Sequence, residues 1–425
     1  MLIYNLFPLL AGPFVTWSRH FARIGAMGFN WVFVNPIARA GNSQSIYAVA
    51  DYHAFDPRFL DARSLLDPGA QLRLAVDAAR GFGLQMMTDL VANHCSVDSA
   101  LLEDHPEWFK WDAPGKVSCA YCMENGKKVV WSDLAQFDHS RTPDAEGLYR
   151  YFAGVVESLY AYGFRGFRCD AAYQIPTDFW RRLISETKAA HPDVLFLAET
   201  LGCPLDAALE TAAAGFDYVF NNLKWWDFTG GWMARQYLLT REIAPSVSFA
   251  ETHDTARLAE ELNGATELCQ HRYLLSAVFS AAVMMPMGFE YGFRRRLHVA
   301  HTRPEDWEHT GVDMRAHVRR VNAIKGSHAI FQEDSPMAMH TAAGDGNILI
   351  FWKGSVSTRE EALILVNRDQ RNSHRFQCDN LASLVQSDQP FTDLSPGNGL
   401  RPITSPFHHE LRPGEVMVLV TNRKS

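Results

Sequence analysis

The 425-residue sequence has no strong excess of either charge: 40 Lys and Arg stand against 48 Asp and Glu, a formal charge of −8. Nucleic acid and anionic membrane surfaces both need clustered cations, so neither is expected as a partner. No apolar run is long enough to suggest a membrane span, which takes about 20 residues; the uncharged stretch at 273–289 is interrupted by Pro286. The apolar N-terminus from Met1 to Leu10 lacks a basic leader and is expected to form a buried strand, not a secretory signal. A disulfide framework is also missing. The seven cysteines are odd in number and scattered from Cys95 to Cys378, which points to a reducing, cytoplasmic setting. Cys119 and Cys122 form a lone C-x-x-C with no second pair to complete a structural zinc. Repeats and low-complexity tracts are absent.

What is present is an ordinary globular composition, 47% hydrophobic and 21% charged, enough for two or three domains or one large barrel with an appendage. Short β-branched or aromatic runs lie at 2–9, 31–36, 85–90, 166–170, 194–199, 218–223, 247–251 and 283–289. Amphipathic helical patterns separate several of them, for example at 71–82, 148–162, 177–190 and 269–282. Eight strand–helix units of mostly buried strands imply a (β/α)8 TIM barrel of the α/β class. An open doubly wound sheet is the alternative, but no Gly-x-Gly-x-x-Gly follows the first strand.

Two stretches depart from this rhythm. Between the third strand and the helix starting near Gly147, the chain is rich in Pro, Gly, Trp and charge. A structureless loop of that length is improbable, so residues 95–147 are expected to form a small inserted subdomain. After about Phe331, short apolar segments alternate with Gly, Asp, Asn and Pro turns, as in a C-terminal antiparallel β-sandwich. The expected division is a barrel at 1–94 and 148–335, an insert at 95–147 and a sandwich at 336–425.

In a barrel, chemistry belongs at the C-terminal ends of the strands. Four of the apolar runs end in polar or ionisable groups: Asp89, Asn93 and His94; Arg168 and Asp170; Glu199; and Glu251, His253 and Asp254. Arg168 and Asp170 are two apart, so on a strand they share a face. A guanidinium keeps a neighbouring carboxylate ionised, as a nucleophile requires. Glu199 on the next strand can be kept protonated by that negative charge and by burial, as a general acid requires. Asp254 is suited to stabilise a cationic sugar transition state. Any one of these groups alone would read as a strand-end salt bridge or cap; the ordered set is the signal.

On these residues the chain resembles glycoside hydrolase family 13, the α-amylase family. Segments 89–94, 166–170, 196–199 and 249–254 match its four signature regions. The resemblance implies Asp170 as nucleophile, Glu199 as general acid/base and Asp254 as transition-state stabiliser. It further implies that Arg168 orients Asp170, that His94 and His253 bond sugar hydroxyls, that Tyr47 stacks on the sugar, and that Asp89 supports the network. Tyr173 and Gln174 fall where the family contacts the acceptor sugar. Asn93 matches a position that binds calcium in many amylases, although no cofactor is required and no metal ligand set is evident. The implied reaction is double displacement on α-1,4-linked maltooligosaccharides with retention of the anomer. Local matches at 105–109, 131–134 and 191–199 resemble the branch of maltosyltransferases that use maltose 1-phosphate. The chain departs from that branch in keeping His94 and His253, and in starting directly at the first barrel strand. Two alternatives are thus maltosyl transfer from a sugar phosphate and a non-catalytic carbohydrate-binding barrel. No signal for oligomeric state is present.

Bland readings accompany several other residues. Trp225, Trp226 and Trp232 can form a stacking platform or pack a loop. Ala171 weakly favours α-1,4 over α-1,6 cleavage, Glu251 and Glu290 brace the barrel mouth, and the arginines at 294–296 are expected to be solvated.

Overall fold

The computed structural model describes residues 1–124, 127–387, 389–397, 402–403 and 405–423. Eight strands form a closed barrel: β1 (Leu2–Leu6), β2 (Trp31–Val34), β3 (Gln85–Leu90), β4 (Gly166–Cys169), β5 (Leu195–Ala198), β6 (Tyr218–Phe220), β7 (Ser246–Phe249) and β8 (Ala282–Pro286). They pair in parallel, in chain order. Parallel strands are covered on both faces, which explains why the runs are continuously apolar instead of alternating.

Some ends differ from the sequence expectation. β1 stops at Leu6, because Pro8 opens the short helix Pro8–Ala11 at a position where its missing N–H costs nothing. The helix expected at 269–282 is Thr266–Phe279, and Ala282 already belongs to β8. An unforeseen hairpin, Ala38–Ala40 with Val49–Phe55, follows β2 and carries the chain to Tyr47.

Contacts gather into two units, one of Ile3–Phe220 with Arg296–Glu308, the other of Met1–Leu2, Asn221–Arg295 and His309–Ser425. In the first, register controls the height at which side chains leave the sheet. Cys169 is level with Leu90 on one side and Ala198 on the other. Asp170 and Glu199, each one residue further on, therefore emerge at the same level. Helices Pro68–Gly81 and Ala145–Ala161 begin on aspartate caps, Asp67 accepting from the Ala70 N–H and Asp144 from the Gly147 N–H. Between β3 and the second of these helices, His94–Ser96, Lys127–Gln136 and Cys119–Glu124 make a three-stranded antiparallel sheet, which supplies the order that segment needed.

In the second unit, Met337–Ala342, Asp345–Gly354, Glu360–Asn367 and Val416–Asn422 pair antiparallel within a six-stranded sheet, and His374–Cys378 pairs with Phe407–Leu411 in a second. The strand Asp345–Gly354 is buried on both faces from Ile348 to Phe351. Ile348 and Ile350 enter the core between the sheets with Leu363, Leu365, Phe376 and Leu419, whereas Phe351 faces Phe279 and Trp226. Lys353, on that same face, is fully buried and donates to the carbonyls of Val278 (3.2 Å) and Phe279 (2.8 Å). Lys325, also buried, donates to Ala277, Ser280 and Phe331 carbonyls. Asp334 faces these ammoniums electrostatically and accepts from Ser246 N (2.8 Å), Ser246 Oγ (2.7 Å) and Ala281 N (2.6 Å).

Among the described residues no helix is long and apolar enough to cross a membrane. The Asp334 cluster generates a stability prediction. Asp334→Ala strips two buried N–H groups of their acceptor and two ammoniums of their counter-charge, so it should cost about 3–5 kcal/mol in urea unfolding; a loss below about 1 kcal/mol would contradict this account.

Candidate active site

Arg168, the third residue of β4, lies with its side chain 4% exposed. Its Nη1 donates to Asp89 Oδ1 at 2.5 Å and to Asp170 Oδ1 at 3.0 Å, and its Nη2 lies 4.0 Å from Glu199 Oε2. One guanidinium thus gathers carboxylates from the ends of β3, β4 and β5. Behind it runs a chain of buried polar contacts. The Tyr47 hydroxyl donates to Asp89 Oδ2 at 2.7 Å and accepts from Asn35 Nδ2 at 2.9 Å, and Asn5 Nδ2 donates to Asn35 Oδ1 at 2.8 Å. Burial alone would lower the pKa of Arg168, but the negative charge of Asp89, with Tyr47, Asp170 and Glu199, raises it well above the ordinary value. The pair Asn5 and Asn35 was missed in the sequence; its only signal is a polar residue inside or at the end of an apolar barrel strand.

Glu199 is the carboxyl held as an acid. Burial pushes its pKa up to about 7, with Arg168 opposing and the Asp170 charge reinforcing. Its orientation comes from the backbone: Ala171 N–H donates to Oε2 at 2.9 Å and Leu201 N–H to Oε1 at 2.6 Å. Ala171 adopts a left-handed conformation with φ 44°. Such a backbone is costly for a residue with a Cβ and is tolerated where the surroundings impose it. Trp180 helps to do so, its indole donating to the Ala172 carbonyl at 2.9 Å. His94 is buried and kept neutral, since burial lowers its pKa more than the Asp170 charge raises it. The turn that carries it is braced by Tyr52, whose hydroxyl meets the Val91 and His94 carbonyls at 2.8 Å each.

Tyr173 and Gln174 follow directly in the 3-10 turn Ala172–Gln174. Gln174 Nε2 donates to the Tyr173 hydroxyl at 3.2 Å and to the Tyr121 carbonyl of the insert at 3.1 Å, while its Oε1 accepts from Asn93 Nδ2 at 3.1 Å. Burial raises the Tyr173 phenol to about 12, so it stays protonated as a donor. Asn93 thus gives its amide N–H to Gln174, which leaves its carbonyl oxygen outside that bond. Among the described residues the close trio of metal-ligand type is His105, Glu107 and Asp144, elsewhere in the insert and its following helix cap. Asp144 there is occupied by the Gly147 N–H and the Trp108 indole.

In the other unit, β7 leads to Glu251, His253 and Asp254. His253 Nε2 lies 2.9 Å from Asp254 Oδ2, the histidine 2% and the aspartate 56% exposed by side chain. Glu251 does not share the exposure of Asp254: it is buried against Arg257 (2.8 Å) and takes the Leu258 N–H, which fixes the turn. Glu290 is likewise buried, accepting from the Gly288 N–H at 3.0 Å. The three tryptophans divide. Trp226 is packed against Phe228, Phe279 and Phe351, whereas Trp225 and Trp232 are exposed.

Residues 2–114 match the family model described as the glucanotransferase domain of glycogen debranching enzyme. The α-1,4-glucan:maltose-1-phosphate maltosyltransferase of Burkholderia pseudomallei is 25% identical over 92% of this chain and 35% of its own length. That of Mycolicibacterium smegmatis is 26% identical over 84% of this chain and 54% of its own. The chain thus spans about a third to a half of the relatives it matches. An α-amylase from Lactobacillus plantarum superposes with a TM-score of 0.75 at 19% identity, covering 99% and 98% of the two chains, a likeness of fold. The chain thus has the fold of an α-amylase and sequence similarity to maltosyltransferases. Its similarity to the maltosyltransferases, first seen in short motifs, extends over most of its length.

The raised pKa of Glu199 has a thermodynamic consequence. The folded state holds this proton to about pH 7, whereas the unfolded chain releases it near the ordinary carboxyl value of 4.5. The contribution to stability is full below that lower value and is lost as pH rises through the folded one. Compared with Glu199→Gln, the wild type should therefore lose unfolding free energy between about pH 4.5 and 7. A pH-independent difference between the two proteins, measured by chemical denaturation, would contradict the assignment.

Proposed function

We propose that the protein is a retaining α-glucan-active enzyme that cleaves and transfers α-1,4-linked maltooligosaccharides. The observation that supports this best is Arg168, whose one guanidinium carries Asp170 at 3.0 Å and has Glu199 at 4.0 Å. That sharing suits the close pair of carboxyls used for retention, about 5–5.5 Å apart. Asp170, charge-paired with Arg168, attacks the anomeric carbon as the glycosidic C–O bond breaks. Glu199 gives its proton to the departing oxygen, leaving a glycosyl ester on Asp170. Glu199, now ionised, then takes a proton from water or from an acceptor hydroxyl, whose oxygen attacks the same carbon and releases Asp170. Asp254 keeps the role the family resemblance gives it, stabilising positive charge on the sugar, with His94, His253, Tyr47 and Tyr173 as sugar contacts. The cycle requires no cofactor. Water and a sugar hydroxyl compete at its second step, so the product ratio depends on how well the acceptor side excludes water.

A second reading, transfer of maltosyl from maltose 1-phosphate, is favoured by the names of the relatives at 25–26% identity. In that reading phosphate replaces the sugar as leaving group and Glu199 still protonates it. The cysteines form no disulfide with one another, which supports a reducing compartment, the cytoplasm.

Incubation with maltoheptaose should give shorter and, by transfer, longer maltooligosaccharides. Asp170→Ala should reduce turnover by about a thousandfold or more. Unchanged products with that variant would sink the proposal. Adding inorganic phosphate separates the readings: maltose 1-phosphate formed at the expense of glucan decides for the second. In the wild type, kcat should fall as pH rises past about 7, when Glu199 loses its proton; a flat profile from pH 6 to 9 would count against Glu199 as the acid.

A further inference from the structure

An early turn of the insert meets its last residues: the Trp108 indole donates to Asp144 Oδ2 at 2.9 Å. The turn forms because the short helix Leu101–Asp104 stops at His105, and Pro106 opens the 3-10 turn Pro106–Trp108. Asp144 caps the helix Ala145–Ala161, which leads to β4. Three side chains of metal-ligand type come together there. A ring nitrogen of His105 and one carboxylate oxygen each of Glu107 and Asp144 lie within 4.8 Å of one another. All three belong to the unit containing Ile3–Phe220.

One buried tryptophan orders two of the three. Trp108 is 3% exposed, and its ring lies flat on the His105 imidazole, centroids 3.8 Å apart and planes 5° from parallel. Its N–H fixes Asp144 at the same time. Both side chains are therefore held before any ligand arrives, which lowers the entropy cost of binding. Asp144 Oδ1 accepts from the Gly147 N–H at 3.0 Å, so each of its oxygens takes one hydrogen bond and keeps a second lone pair. Glu107 Oε1 lies 3.3 Å from His105 Nδ1. Among the described residues no lysine or arginine pairs with any of the three. The neighbouring Glu146 draws Arg150 (2.7 Å) and Arg182 (2.6 Å) to itself and faces Asp144 as a further negative charge. Two carboxylates thus stand beside an imidazole without a fixed cation.

We propose that His105, Glu107 and Asp144 bind one divalent first-row transition ion, with water filling its remaining positions. An imidazole and two carboxylates make the mixed nitrogen and oxygen set that ions from Mn2+ to Zn2+ accept. Ca2+ and Mg2+ favour oxygen ligands alone. Ligand atoms around a four-coordinate ion lie roughly 3.4 Å apart, closer than the widest spacing here. Glu107 supplies the movement, since its side chain is 35% exposed and bonded only to His105 among the described residues. The ion ties the turn at 105–108 to the cap of the helix leading to β4. It therefore steadies the insert, whose Tyr121 carbonyl meets Gln174. The site shares no residue with the catalytic carboxyls and does not depend on the reaction proposed for them.

Electron paramagnetic resonance of the full chain with Mn2+ tests it, because the free ion gives the signal and thiolates compete poorly for Mn2+. The wild type should remove one Mn2+ per chain from the free signal, and Zn2+ should displace it. The melting temperature should rise with ion concentration, as for any ligand of the folded state. Glu107→Gln, which leaves both hydrogen bonds to Asp144 in place, should weaken Mn2+ by roughly tenfold or more and abolish most of that rise. His105→Gln should do the same. Circular dichroism, which does not depend on turnover, verifies that each variant is folded. Asp170→Asn and Cys119→Ser should leave Mn2+ binding unchanged. Absence of binding to the wild type, or unchanged binding in both Glu107→Gln and His105→Gln, overturns the site. Loss of binding in Asp170→Asn or Cys119→Ser places the ion elsewhere and also overturns it. Displacement by Ca2+ as readily as by Zn2+ overturns the choice of a transition ion.

Discussion

Everything at the candidate active site depends on one buried cation. Arg168 is nearly sealed from solvent, and an ion in that position is tolerable only when countered at close range. Asp89 counters it from β3, Asp170 from just beyond β4 and Glu199 from beyond β5. Two of those carboxyls are left with different tasks by their surroundings. Asp170 lies on the guanidinium and is 15% exposed by side chain. Glu199 is farther from the charge and is desolvated enough to hold its proton to about pH 7. In the proposed reaction, the carboxyl assigned as nucleophile lies an ångström nearer the shared arginine than the carboxyl assigned as acid.

The precision of that arrangement comes from groups that touch no carboxylate oxygen of Asp170. The left-handed Ala171 directs its N–H at Glu199, and Gln174 joins the ends of β3 and β4 to the insert through Asn93 and Tyr121. Tyr52 holds the His94 turn by two carbonyls. A strained residue and a set of saturated side-chain bridges keep the acid in one orientation, which lowers the reorganisation needed when charge develops. The sandwich unit uses the same economy for another end: buried lysines and Asp334 lock backbone carbonyls and amides at the start of β7 and β8.

Much of this was legible in the sequence. Every one of the eight apolar runs became a barrel strand, because a doubly covered parallel strand must be apolar throughout. Ionisable residues at the ends of four such runs were conspicuous, since the only affordable place for them is the mouth. Boundaries were less legible: Pro8 and Ala282 are compatible with either neighbouring element, and the surrounding packing decided. Trp225, Trp226 and Trp232 were indistinguishable in the sequence, yet one is core and two are exposed.

By itself, then, the sequence determined the order of the eight barrel strands, the ordered insert after the third of them, the antiparallel sandwich that follows the barrel, and which carboxyls, arginine and histidines lie at the strand ends. Periodicity and residue chemistry are local properties, and they are written in the chain. Only the tertiary structure decided that Arg168 is shared by three carboxyls, that Glu199 is buried enough to stay protonated, that Asn93 is bonded to Gln174, and that His20 and Arg23 meet Trp307 across nearly the full length of the barrel sequence. Distances between residues far apart in the chain, and the desolvation they produce, exist only once the barrel has closed.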